Sequence, residues 1–316
     1  KGHPIKYGVS FFLKYDGIWN IMEVGFNVRR GSMGNNYSIF PGEMFTATAS
    51  VVNKVLDKME HAAGFAVTPR GKKKDFEEAV AYYIKEIEAN QKLSPLIKAA
   101  MISNARKSIK EYINQNDIIN IGMNNMSSNA NMEKIDDDWL MYFLDKAKNT
   151  TNEQLKIIWG KLLAEEAVVG GISKKLLHVL SVISPEDAAA FGNVCNYYVF
   201  VDNVQGLEGV LQIFDAKKIG IDNLQRLESL GLINFPFAGC GTIAYGIDFL
   251  DGDDKVVELR YFGKKIKINV PDSQLNLGCA SLTKEGEQLR RIIEPKEINN
   301  LIQEILDENN KQRKYV

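Results

Sequence analysis

The chain has 316 residues, is 45% apolar and 25% charged, and carries 39 basic against 40 acidic side chains. These values describe a folded globular protein with room for two or three compact units, and they exclude collagen-like, mucin-like and wholly disordered chains. A net charge of -1 leaves no global electrostatic footprint for nucleic acid or anionic membrane.

No run of about 18 apolar residues occurs, so no membrane-spanning helix is expected. Dense apolar stretches such as Leu176 to Ile183 are interrupted by His178 and Ser181 and read as buried helix. No secretion signal is read. The cysteines Cys195, Cys240 and Cys279 are odd in number and form no C-x-x-C, which fits a reducing cytoplasm. His3, His61 and His178 have no neighbours at metal-ligand spacing, so neither a metal nor a cofactor is expected.

Residues 1–32 have two readings. Arg29-Arg30-Gly31 resembles a translated ribosome-binding site and Gly31-Ser32 a cloning junction, both pointing to Met33 as the native start. Alternatively the segment is a strand-rich arm, since Tyr7, Val9, Phe11 and Leu13 alternate at period two.

Residues 33–131 read as N-terminal helices and an Asn-rich linker. Helical spacing of Phe45, Ala49, Val52, Leu56 and Met59 predicts a helix over 43–63. The basic cluster Arg70, Lys72, Lys73 and Lys74 follows a break at 64–71. Its cations could meet phosphates, although Asp75, Glu77 and Glu78 come straight after it. A second helix is predicted over 75–90, and a third from Pro95 to about 113 with Ser94 as its cap. The Asn- and Met-rich stretch 114–131 reads as turns or a loose linker.

Residues 132–205 read as a helical core of three antiparallel helices. Asp136-Asp137-Asp138 complement a helix start and suit it better than a cation site. Thr151-Asn152-Glu153-Gln154 has a capping-box pattern, and Gly170-Gly171 a stop. Ser173 reads as a cap, and Ser184-Pro185-Glu186-Asp187 as a strong helix start. Trp139 and Trp159 lie on apolar stripes and read as core anchors. Glu165 and Glu166 point about 100° apart on a helix, so they are not a catalytic pair. Glu166 instead suggests a buried or interfacial salt bridge.

Residues 206–316 change period. Short helices are predicted over 211–216 and 222–230. Strands are predicted over 242–250, 255–262 and 264–270, and helices follow from 282 and after Pro295. The expected fold class is therefore α+β and mostly α: N-terminal helices and a three-helix core, followed by a winged-helix-like module with an enlarged β-wing. A DNA-reading winged helix needs a basic surface. Residues 211–291 hold 11 basic and 11 acidic side chains. Arg226, Lys264, Lys265 and Lys267 remain as candidate contacts. Cys240 and Cys279 sit beside glycines and read as turn positions, and no phosphate-loop, Rossmann, kinase or G-x-S-x-G signature occurs.

The order Asp137-Asp138-Trp139, then Trp159-Gly160-Lys161-Leu162-Leu163-Ala164-Glu165-Glu166, then Gly171-Ile172-Ser173, then Ser184-Pro185-Glu186-Asp187-Ala188 resembles an uncharacterised bacterial family known only as a domain of unknown function. It is distantly similar to the abortive-infection alpha family of phage-resistance proteins. The family's Pro-Gly-Ser turn is Val169-Gly170-Gly171 here. The resemblance implies a bacterial, cytoplasmic setting and a part in phage defence, and it brings no enzymatic activity. Its core positions Trp139, Trp159, Glu166, Ser173 and Asp187 are expected to be structural. The expected function is non-enzymatic binding of a macromolecule, a protein or a second copy of the chain. The alternative is a sequence-tolerant nucleic-acid binder or regulatory winged-helix protein. A membrane surface is a weaker expectation, and no small-molecule substrate is inferred.

Overall fold

The computed structural model describes residues 6–15, 18–27, 57–58, 62, 73–202, 209–213, 215–235, 244–246, 256–269, 274–276 and 278–312. The chain is α+β and mostly helical among these residues. It divides into two compact units, Lys1–Lys174 and Lys175–Val316. The division falls inside the segment expected as one helical core.

In the first unit, β1 (Lys6–Tyr15) and β2 (Ile18–Asn27) pair antiparallel from Lys6↔Asn27 to Tyr15↔Ile18. The alternating residues Tyr7 to Leu13 lie on β1. The helix expected over 43–63 falls largely outside the described residues, as do Arg70 and Lys72. Helix α1 (Lys73–Ala89) folds back on α2 (Pro95–Asn125) through Val80, Tyr83, Ile87 and Ala105, with Leu93, Met101 and Ile109 around them. Ser94 caps α2 by accepting from the Ile97 N–H, and Pro95 occupies the first turn, where its missing donor costs nothing.

The stretch expected as a linker instead continues α2 through Asn125, and residues 114 and 116–123 are buried. Asparagine is a weak helix former because its amide competes for backbone groups. Here those amides find fixed partners. Asn114 and Gln115 donate to the carbonyls of Lys148 and Leu144, and Asn120 donates to the Asn116 carbonyl. The first bond engages the Lys148 carbonyl just past the C-terminal end of α3 (Asp137–Ala147), and the second adds a donor to the Leu144 carbonyl, which also accepts from the Lys148 N–H.

Helix α4 (Glu153–Val168) crosses α2 where Gly122 faces Gly160. A Cβ on Gly160 would stand 2.7 Å from Ile121 Cβ and 2.9 Å from Gly122 N, so only glycine permits this approach. Nearby, buried Lys156 of α4 meets Asp117 of α2 at 2.9 Å and Glu153 at 3.1 Å. The cap of α4 is Asn152, whose side chain accepts from the Leu155 N–H, one residue later than the expected Thr151.

In the second unit, α5 (Lys174–Val182) and α6 (Pro185–Cys195) precede a four-stranded antiparallel sheet. Its order is β4 (Gly209–Leu211), β3 (Tyr198–Val201), β7 (Val256–Tyr261), β8 (Lys264–Asn269). Tyr198 thus opens a strand, where a continued helix was expected. Between them run α7 (Ile221–Ser229), β5 (Ile233–Asn234) and β6 (Ala244–Gly246), and after them β9 (Gln274–Asn276), β10 (Ser281–Leu282), α8 (Lys284–Arg290) and α9 (Leu301–Gln312). The strand β10 pairs with β5, and β9 with β6. Among the described residues of 211–216 there is no α-helix: β4 ends at Leu211 and a 3-10 turn spans Ala216–Lys218.

Side chains alternate across a sheet. Val199, Val201, Val257, Leu259, Tyr261, Ile266 and Ile268 share a core with Leu301 and Ile305 of α9. That alternation sends Phe200, Glu258, Arg260, Lys265 and Lys267 to the opposite face. The hairpin β7–β8 turns on Phe262 and Gly263, both with positive φ (45° and 77°). This is the geometry of a two-residue type I′ turn.

Candidate functional site

Two residues of the resembled core, Trp139 and Glu166, converge on one loop. Gly170 and Gly171 take φ of 78° and 77°, which glycine allows, and so bend the chain back over the end of α4. The Glu166 carboxylate there accepts from the backbone N–H of Ile172 at 2.8 Å and of Gly171 at 3.3 Å. Glu166 is therefore bonded to backbone donors, in place of the expected salt bridge with Lys or Arg. Burial pushes its carboxyl above the usual range, partly opposed by those two donors. The Trp139 indole N–H donates to the Ile172 carbonyl at 2.8 Å.

Trp139 and Trp159 are 5% and 0% exposed and sandwich Phe143. The Trp139 and Phe143 rings stack at 5.2 Å, and Trp159 meets Phe143 edge-on at 5.2 Å. Asp136 caps α3 by accepting from the Trp139 N–H, and Asp137 pairs with Lys58. Ser173 immediately precedes α5 and is half-buried. Among the described residues, no three His, Cys, Asp or Glu side chains gather as a metal-holding group, and no helix is long and apolar enough to cross a membrane.

Asp187 has a double role in the second unit. It completes the α6 cap with Ser184 and accepts from Arg226 Nε of α7 at 2.8 Å. Burial alone would push its carboxyl up, but the bonds and charge of Arg226 and Ser184 outweigh this and hold it below the usual range. Arg226 is thus engaged as a strut between α6 and α7.

Of the other nominated cations, Lys264 pairs with Glu297 and Lys267 with Glu258. Lys265 is exposed and has no carboxylate partner among the described residues. Lys73 and Lys74 lie in the first turn of α1 by backbone, and their side chains fall outside the description.

Sequence reasoning missed a cavity of about 300 Å³ beside the two central strands, β3 and β7, of the four-stranded sheet. It is lined by Cys195, Tyr198, Phe200, Arg260, Phe262 and Arg290, with Arg291 at its rim. The Arg290 guanidinium lies 3.9 Å from the Tyr198 ring centre and 5.4 Å from that of Phe200. Arg260 approaches the Phe200 ring at 5.3 Å. Guanidinium over a ring face is an attractive geometry that also desolvates the cation in part. Phe200 and Phe262 remain 37% and 46% exposed. Burial pushes the Cys195 thiol up to about 12, opposed by the charge of Arg290. It is therefore a wall of this cavity rather than a nucleophile. The lining runs from Cys195 to Pro295, 100 positions apart in the chain, so no local motif announces it. One signal was present in the sequence: a Phe-Gly pair at a hairpin turn where Asn-Gly is the usual choice.

Residues 103–237 match a family described as "Protein of unknown function (DUF2806)". The match covers Trp139, Trp159, Glu166, Asp187 and the aromatic residues Tyr198 and Phe200. It stops before Arg260, Phe262 and Arg290. No curated protein and no solved structure is significantly similar to the chain.

Proposed function

We propose that this is a non-enzymatic macromolecule-binding protein whose contact surface is the outer face of the β4–β3–β7–β8 sheet. The observation that carries the reading is the pairing of exposed rings with guanidinium groups at the cavity: Phe200 between Arg260 and Arg290, and Phe262 at its mouth. Aromatic and arginine side chains dominate the energetics of macromolecular contact because each brings a large area and directional charge. The signature tryptophans and Glu166 act as framework: Trp139 and Glu166 bond to a loop of their own unit, and Trp159 is fully buried against Phe143. The bacterial and phage-defence setting comes from the resemblance alone, and the cytoplasmic one from the resemblance and the cysteine usage.

A winged-helix-like arrangement is part of this reading. In its favour, α7 leads into β5, β5 pairs with β10, and β10 leads into α8, which Thr283 caps. Gly286 lets the Leu232 carbonyl approach closely at that junction. The recognition helix of such a module would be α7, but its one arginine is held by Asp187. The sheet face is therefore the preferred surface.

Photocrosslinking in cells tests the reading. A benzophenone side chain at position 262 should form adducts with another macromolecule that the same group at exposed Met141 does not. Equal or absent adducts at the two positions would sink the reading.

A further inference from the structure

We infer that the ligand of this face is a single-stranded nucleic acid, with one unstacked base held at the Phe262 mouth of the cavity and its flanking phosphates on Arg291 and Lys265. The inference rests on the reading of the sheet face as the contact surface.

Charge complementarity favours an anionic chain. The face and its rim carry Arg260, Lys265, Lys267, Arg290 and Arg291. Among the described residues, three carboxylates touch these cations: Asp202 on Arg260, Glu258 on Lys267 and Glu287 on Arg290. Lys265 and Arg291 are left over, without an ion pair among the described residues. An excess of cations beside exposed rings is what a flexible polyanion with planar bases recognises, because phosphates meet the charge while every base offers a face to stack. A cavity of about 300 Å³ is at the small end of ligand pockets and suits one base, not a large cofactor.

The backbone at Phe262 supplies an independent observation. At φ 45°, a bulky side chain is unfavourable where Asn or Gly would be at ease. Local stability therefore argues against phenylalanine here. Strained residues of this kind persist where function holds them. The result is a ring left 46% exposed at the mouth of a guanidinium-lined cavity.

Fluorescence anisotropy with labelled dT20, rU20 and a 20-base-pair duplex, titrated with the full chain at several salt concentrations, tests this. Both single strands should bind more tightly than the duplex; the stronger of the two identifies DNA or RNA as the natural source. Phe262→Asn should keep or raise the melting temperature, because it suits the turn, while weakening single-strand binding about tenfold. The double variant Lys265→Gln, Arg291→Gln should lower the slope of log affinity against log salt by about 1.4, the share of two phosphate contacts on a single strand. Absence of single-strand binding at 20 mM salt, equal binding of the duplex, or wild-type affinity in Phe262→Asn would overturn the inference. If crosslinks at position 262 then yield protein adducts alone, the sheet face stands as a contact surface and only the nucleic-acid assignment falls. No adducts at all would remove both.

Discussion

Trp139 and Glu166 grip the same residue through its two backbone groups. The indole N–H donates to the Ile172 carbonyl, and the carboxylate accepts from the Ile172 N–H, each at 2.8 Å. Two side chains 27 positions apart thus fix one loop of the first unit, which gives an aromatic donor and an acid of the resembled core a shared structural task.

Removing the acid should therefore cost stability. Glu166→Ala leaves two backbone donors without their acceptor and is expected to destabilise by about 2 kcal/mol. Glu166→Gln keeps one acceptor oxygen and should cost less. Because burial raises the folded-state pKa of Glu166, its protonated form is favoured on folding. Its contribution is fully present below the unfolded value and fades as pH rises through the folded one. Urea titrations of both variants against the parent from pH 4 to 8 check this; a Glu166→Ala cost near zero would show that the loop is held otherwise.

The α2–α4 crossing makes a sharper demand. Gly160→Ala places a methyl group against Ile121 and the Gly122 backbone, and overpacking of this kind costs about 1–3 kcal/mol. Gly192, with open space around it, is the control: Gly192→Ala should be neutral or mildly stabilising in a helix interior. Thermal melts of the two variants should move in opposite directions or at least differ clearly.

Arg226→Gln removes the main support for the ionised Asp187. A depressed carboxyl pKa contributes stability that is present above its unfolded value and lost as pH falls through the folded one. The variant should therefore be less stable than the parent at pH 7. The gap should be about 1 kcal/mol or less, because Arg226 is half exposed and solvent-screened. It should close as the pH drops below about 3.9, the ordinary value for Asp. A gap that persists unchanged in acid would show packing, not charge, at work.

Cys195 should resist thiol reagents in the native protein. With its pKa at about 12, only roughly one thiol in 10⁴ is ionised at pH 8, and the thiolate is the reactive form. Mass spectrometry after brief iodoacetamide treatment should find Cys195 labelled only once the chain is unfolded. Rapid native labelling would mean that the cavity wall opens.

The helical caps were legible because they are local: Ser94, Asp136 and Ser184 each accept from an N–H three residues on. The β7–β8 hairpin was legible from its alternation and from Gly263. The polar run of α2 was not, because Asn114 and Gln115 are satisfied by carbonyls 34 and 29 residues away, a relation no window of sequence contains. Glu166 was misread for a related reason: its partners are backbone groups, which carry no side-chain signature. The cavity was hidden most completely, since its rings and guanidiniums come together only when β3, β7 and α8 do.

The polar seam between α2 and α4 bears on how the first unit can move. A smooth leucine interface tolerates sliding, since one greasy knob replaces another. Here a slip of one turn, about 5.4 Å, would strand the Lys156 ammonium away from Asp117 and drive Ile121 or Leu163 into a gap that only hydrogen atoms fit. The two helices are keyed like a lock: this pair can travel as one piece or come apart, and it has no intermediate gear.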